Sequence, residues 1–420
     1  MRKSLIFCIV LAGIALLFGG VLVVTRVGPS APGPSEDPIA KWNRERAALP
    51  ANADRHYLAA IDLLAVDAPE DWDGDYEPRI VELDDIAAWV DGREDAVEQI
   101  RQGVACSACR IEMVWDQGTA GWSVSLSNFR TLTKFLVHRA RLAALRGDAE
   151  RCAESILLAD GVARHAMEQP TIISNLVGVA CAALAFSEVP RFYGINDSNP
   201  GAGVEYARRL TGLGRPLPAY KYACESDKAI LCWGMQAQFA AAGWSWKQMF
   251  MPQSRIFGEV DRAFEPLEQL ADQPLATRLD RAHPLHVRLD ELANESVPFY
   301  NPSRLLAQIL VPSLGRSLEL NARAQVIQRG TRTLCAIFEH AGPERRFPES
   351  LEFLSGDEFA IDPYTGKPFL YRRTDGGFTL YSAGIDRDDD GGTHHARFGE
   401  PRGDPPKPAD GDYVFWPIPE

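Results

Sequence analysis

Four aspartates crowd into five positions at Asp386, Asp388, Asp389 and Asp390, and Gly391 and Gly392 follow directly. Alternate carboxylates followed by glycine are how an EF-hand-type loop begins: side chains two apart can face one hard cation, and glycine permits the sharp turn. Such a loop needs a bidentate carboxylate at its twelfth position, and counting from Asp386 that position is Arg397. The stretch is therefore no EF-hand. Asp386, Asp388 and Asp390 form a half-site, and Asp410 and Asp412 ahead of an apolar run are placed to complete it. An all-oxygen set of this kind suits Ca2+ in a structural role. Zinc fits less well, because the adjacent His394 and His395 are awkwardly placed to share one tetrahedral ion. The competing reading is a solvated acidic loop. Against it, four neighbouring carboxylates repel one another, and a cation would relieve that repulsion while ordering a loop with no core of its own.

The other candidate groups are weaker. Cys106-Ser-Ala-Cys109 is a CxxC, read here as a local structural disulfide or a pair of buried thiols; an exchange-active dithiol would require a strand-to-helix setting that the surrounding residues do not suggest. Cys224 and Cys232 lack the spacing of a second zinc pair. His283 and His286 stand in no HExxH frame and read as a surface loop. No nucleophile elbow, phosphate-binding loop or dinucleotide fingerprint occurs, so no catalytic residue is nominated and catalysis is not the expected activity.

These groups must be positioned by the rest of a 420-residue chain, long enough for two or three folding units. It holds 57 acidic against 44 basic residues, a net charge of −13 that argues against a nucleic-acid partner. Residues 5–24 carry no charge and follow Arg2 and Lys3. Twenty helical residues span roughly 30 Å of hydrocarbon, so residues 1–26 read as an uncleaved signal anchor, a single transmembrane helix with its N-terminus in the cytoplasm. The membrane is then one partner, and the main domain lies outside the cytoplasmic membrane. Beyond Cys8 in the span, seven cysteines remain, an odd number, so at least one thiol is left unpaired within the chain.

Residues 27–40, rich in Pro, Gly and Ser, read as a spacer. Residues 41–345 then show helical periodicity throughout and are expected to form an irregular all-α domain. Asn52 is placed to cap an early helix. Acidic residues 71–77 suggest a turn. The clearest unit is a helical hairpin over 125–167, broken at Gly147 and Asp148. Residues 171–189 are apolar nearly all round, but Ser174, Asn175 and Glu188 mark a central core helix rather than a second span. Further helices are expected over 203–213, 217–242, 255–272 and 303–342, with Pro312 ending or kinking the last. Residues 346–420 change character. After a short helix at 348–354, "KPFLYRR" and "GFTLYSA" alternate as strands around a tight turn at Asp375 and Gly376, and "DYVFW" supplies a third. The fold class is mainly α with a small C-terminal antiparallel sheet.

The run from Asp362 through Pro363, Tyr364, Gly366, Pro368 and Tyr371, followed by the strand ending Tyr381-Ser382-Ala383-Gly384-Ile385-Asp386, resembles the C-terminal β region of the type II secretion major pseudopilin. It covers about 60 residues and is also similar to tails of anchored, uncharacterised planctomycete-like bacterial proteins. The resemblance implies a pseudopilin-like sheet and calcium binding through its aspartate loop. The N-terminus departs from that family, having no acidic residue before Glu36, and pilus assembly does not follow. The expected function is an anchored protein acting by contacts with an unidentified envelope protein, in envelope or secretion-related assembly. The alternatives are an envelope hydrolase or thiol-redox enzyme with a dispersed site, and a divergent pseudopilin.

Overall fold

A computed structural model describes residues 31–69, 72, 80–114, 120–214, 217–218, 220–241, 252–296, 304–395 and 411–418. The expected anchor at 1–26 lies outside these residues, as do most of the acidic cluster at 71–77 and the proposed ligand Asp410. The described chain is mainly helical and ends in a small antiparallel sheet. In order come α1 (Pro38–Ala47), α2 (Asp54–Leu64), α3 (Ile80–Asp91), α4 (Glu94–Ala105), α5 (Ala120–Leu145), α6 (Ala149–Met167) and α7 (Ile172–Ile195). There follow α8 (Pro200–Arg209), α9 (Tyr220–Ala241), α10 (Gln253–Ala271), the single turn α11 (Leu275–Arg278), α12 (Pro284–Asn294) and α13 (Arg304–Ala341).

The expected hairpin is α5 and α6. Gly147 turns the chain at φ +69°, and Asp148 caps α6 by accepting from the Arg151 N–H at 3.0 Å, which satisfies a donor the first helical turn leaves open. Behind the hairpin lies α7, opened by a capping box between Thr171 and Ser174. This helix is long and apolar enough to cross a membrane, yet its polar residues are used inside the protein. Asn175 accepts from Asn321 of α13 at 3.1 Å, and Glu188 receives both Nε and Nη2 of Arg141 at 3.0 and 2.8 Å. A buried carboxylate is tolerated only when paired in this way.

Among the described residues two large apolar clusters make most of the core, beside a small one of Ile39, Trp42, Met113 and Ile230, and α13 runs through both large ones. Its first half contributes Val311, Leu314 and Leu318 to a cluster with α9, α10 and α12. Its second half contributes Val326, Leu334 and Ile337 to the larger cluster, which contains α5, α6 and α7. Pro312 neither ends nor interrupts α13. It sits on the exposed face, where solvent can meet the lost backbone hydrogen bond, while the buried neighbours Val311 and Leu314 hold the helix in place.

In the tail, β1 (Ile361–Asp362) pairs with β2 (Lys367–Pro368), and β3 (Leu370–Thr374), β4 (Gly377–Ser382) and β5 (Tyr413–Trp416) form a sheet with β4 central. Thr374 pairs with Gly377, so the turn at Asp375 and Gly376 is the expected two-residue one. The short helix expected at 348–354 is a single 3-10 turn, Leu351–Leu354. The sheet does not stand apart. Phe378, Leu380 and Phe415 belong to the larger helical cluster, and Phe378 and Trp416 lie 5.6 and 5.4 Å from Phe338 of α13. Gly330 makes this fit possible, because a Cβ there would fall 2.1 Å from the Phe415 ring.

Two local expectations are corrected. The part of the spacer from residue 31 is held to the body: the Ala31 N–H donates to the Ser254 carbonyl at 2.9 Å, and Gly33 lies against Phe257. The N-cap position of α2 is Ala53, one residue past the expected Asn52. Asn52 Oδ1 still accepts from the Asp54 N–H at 3.4 Å, and the side chain also bridges to the distant Arg110 backbone, donating to its carbonyl and accepting from its N–H, both at 2.8 Å.

Candidate metal centre

The acidic loop leaves the sheet at the end of β4, and Asp362 fixes where. Buried at 1% exposure, Asp362 accepts from Ser382 Oγ at 2.9 Å and the Ala383 N–H at 3.2 Å through Oδ2. Its Oδ1 accepts from the Tyr364 N–H at 2.9 Å. The Asp-Pro-Tyr-Thr-Gly run is thereby the strut of the loop. Beyond it, Arg387 adopts φ +66° and reaches Asp280, between α11 and α12, with an N···O distance of 3.2 Å. The loop is tied to the helical body as well as to the sheet.

Within that frame Asp386, Asp388 and Asp390 converge, each offering an oxygen within 4.8 Å of the others. Asp389 turns away, with Oδ1 accepting from Tyr381 OH at 2.8 Å and the Gly391 N–H at 2.9 Å. The fourth predicted ligand comes from the start of the last strand. Asp412 is fully buried, and its Oδ2 accepts from the Gly392 N–H at 2.7 Å. The Asp412 N–H donates to Thr393 O at 2.8 Å, and its carbonyl accepts from the His395 N–H at 2.6 Å. Preceding it, Gly411 has φ +100°, and a Cβ would approach the Thr393 carbonyl to 3.1 Å, so this joint requires glycine. Asp390 Oδ2 accepts from the Gly411 N–H at 2.8 Å.

Three carboxylate oxygens are left over. Both oxygens of Asp386 and Oδ1 of Asp412 are shielded from solvent and accept no hydrogen bond. Buried acceptors without donors are costly. The electrostatics agree: burial, reinforced by the Asp388 charge, raises the Asp386 carboxyl to about 6. Burial also raises Asp412 to about 6, with Asp390, Asp389 and Asp386 adding to the rise against the Gly392 hydrogen bond. The donor set is all oxygen, the kind that hard divalent cations take. His394 is directed elsewhere, since its Nδ1 accepts from the Val414 N–H at 3.1 Å.

The structure therefore brings together three of the five predicted ligands, Asp386, Asp388 and Asp390; Asp412 is tied to the same loop through Gly392 but stands outside that group, and Asp410 lies outside the described residues. Sequence reasoning missed the strut roles of Asp362 and Asp389. The only available signal for Asp362 was its place in the Asp-Pro-Tyr-Thr-Gly turn.

Of the two readings of Cys106 and Cys109, a disulfide or buried thiols, the structure has free thiols. Cys106 ends α4 and turns its Sγ back to the Gln102 carbonyl at 3.4 Å, while Cys109 is buried in the core. The segment after Cys106 is held extended by side chains. Gln169 Nε2 donates to the Cys109 carbonyl at 2.7 Å, and Trp42 Nε1 donates to the Ile111 carbonyl at 2.8 Å. Burial pushes the Cys109 thiol well above its ordinary range, the opposite of an activated thiolate. The His283 and His286 pair is not a loop: His283 caps α12, and His286 is buried with Nε2 donating to the Arg278 carbonyl at 3.0 Å.

Burial also lowers His138 and His165 to about 4. Both stay neutral in the fold where a free histidine would charge, so stability is complete above pH 6.5 and falls as pH drops toward 4. His138→Gln, which retains a donor for the Trp72 carbonyl, is expected to remove roughly 2 kcal/mol from the acid loss between about pH 7 and pH 5. The difference in urea-unfolding free energies between variant and parent at the two pH values reads this directly.

No protein-family model, no curated protein and no solved structure matches this chain.

Proposed function

We propose that this chain is a membrane-anchored extracytoplasmic protein acting through protein contacts, with Ca2+ held structurally by Asp386, Asp388, Asp390 and Asp412. The observation that carries the metal reading is the convergence of Asp386, Asp388 and Asp390, with both oxygens of Asp386 shielded and unpartnered. A bound cation neutralises that cluster and locks the 386–395 loop to the start of β5. The tail that would hold it is the part resembling the pseudopilin β region, and it supplies a stable cap for a helical body whose surfaces meet an envelope partner. Support for the anchor comes from the uncharged run at 5–24.

The decisive measurement is a thermal melt of the full-length chain in nanodiscs with calcium and with a chelator. Calcium at a hundredfold excess over its dissociation constant stabilises the folded state by about 2.7 kcal/mol, a rise in Tm of roughly 3–5 °C. Asp412→Asn is expected to abolish the shift. An unchanged Tm at millimolar calcium, or an undiminished shift in the variant, removes the metal from the reading. Crosslinking in intact cells tests the contact role separately, and recovery of the chain alone would count against it.

A further inference from the structure

The chain that follows the anchor proposed above enters the body at a defined place. Ala31, whose N–H donates to the Ser254 carbonyl at 2.9 Å, packs against the cluster of α9, α10, α12 and the first half of α13. Gly33 follows between Gln236 of α9 and Phe257 of α10, where a Cβ would fall 2.5 and 2.9 Å from their side chains. From Val24, the last of the uncharged run, to Ala31 is seven steps of chain, which reach at most about 25 Å when fully extended. The 19 residues of α10 are longer than that leash, at about 28 Å. The bilayer therefore lies beside the end of α10 to which Ala31 is pinned.

Four helix termini share that end. Lys221 pairs with Asp272 at 2.5 Å and Lys228 with Asp261 at 2.8 Å, so α9 and α10 are antiparallel and the end of α9 lies beside the start of α10. The end of α12 and the start of α13 join them through ion pairs. Glu295 meets Arg262 at 2.6 Å and Arg304 at 3.0 Å, and Arg304 lies 3.7 Å from Glu259, five residues past Ser254. Two glutamates balance two arginines, so this knot adds no net charge. Next to it Leu305 is 51% exposed. The sequences that join these termini, 242–251 and 297–303, hold no acidic residue in a chain of net charge −13, and they include Trp244, Trp246, Phe250, Phe299 and Tyr300. Tryptophan and tyrosine favour the boundary between bilayer and water, where the ring is apolar and its polar tip stays wet. An end without surplus negative charge is not repelled by anionic lipid.

We infer that this end of the cluster is a second membrane contact, seated in the interfacial zone of a phospholipid bilayer, with α9, α10 and α13 standing away from the surface. Its contact residues are Gln253 and Ser254 at the start of α10 and Leu305 at the start of α13. The inference rests on the proposed anchor, which sets where the bilayer is, and adds which face of the body meets it.

The test is quenching of bimane on the full-length chain in vesicles of phosphatidylcholine and phosphatidylglycerol that carry a doxyl group at headgroup depth. Labels are placed at Leu305→Cys, at Gln253→Cys and, at the far end of α10, at the exposed Asp272→Cys. A Cys8→Ser, Cys106→Ser background leaves only buried native thiols among the described residues. Quenching at 305 and at 253 is expected to be roughly threefold or more that at 272, which α10 holds about 27 Å from Ser254. A Gly/Ser stretch inserted after residue 27 to lengthen the leash should leave quenching at 305 unchanged. A labelled chain that does not float with the vesicles overturns the anchor, and this contact with it. A chain that floats but is quenched equally at all three positions overturns the contact alone. A fall at 305 to the level of 272 on lengthening the leash shows an end held near the bilayer by its tether without touching lipid, and likewise overturns the contact.

Discussion

Glu188→Gln is expected to destabilise the chain by about 3–5 kcal/mol. Its side chain is only 3% exposed and that of Arg141 10%, so the substitution leaves a guanidinium buried without its counter-charge. Glutamine keeps the volume and one acceptor, which confines the effect to electrostatics. Removing both partners is the informative control: Arg141→Met with Glu188→Leu is expected to cost much less, because no charge is then stranded. Urea unfolding of the four species of that cycle measures the coupling. A Glu188→Gln loss under 1 kcal/mol would mean that solvent reaches Arg141 despite the packing around it.

Gly330→Leu is expected to cost about 3 kcal/mol or more, through displacement of Phe415. The Phe415 ring stands end-on against the α13 backbone where a Cβ would fall 2.1 Å away. Helix propensity runs the other way, since leucine is the better helix former by nearly 1 kcal/mol, so any loss reports packing. Phe415 also meets Phe369 and Tyr413 at ring-centroid distances of 5.4 and 5.1 Å, which leaves it little room to turn aside. Trp416 next to it gives the readout, a change in tryptophan fluorescence and near-UV dichroism. Partial rescue by Phe415→Ala in the Gly330→Leu background would identify this contact as the cause; no rescue would point to strain elsewhere in α13.

What could be read from the residues was what local patterning encodes. The α5–α6 hairpin follows from apolar spacing and the Gly147 break, and β3 and β4 follow from alternation around Asp375 and Gly376. The membrane-like stretch of α7 was correctly placed inside because Asn175 and Glu188 sit within it. The convergence of Asp386, Asp388 and Asp390 was legible because the three carboxylates lie within five positions of one another. What escaped depends on distant partners. Nothing near Cys109 announces that Gln169, Trp42 and Asn52 will hold its segment extended. Nothing near His283 announces a helix cap, and nothing near Gly330 announces an aromatic ring from 85 positions later. Pro312 does not end α13 for a related reason: its local penalty is real, but tertiary packing on either side carries the helix past it.

The course of α13 through both apolar clusters bears on how this chain can be divided. A fragment cut at the composition boundary near residue 346 would carry the whole sheet yet bare Phe378, Leu380 and Phe415, the side chains that α13 covers. The tail is thus not a cassette that could be lifted onto another scaffold or expressed alone. The helix is its missing third wall, and any exchange of such tails between proteins would have to carry that wall along.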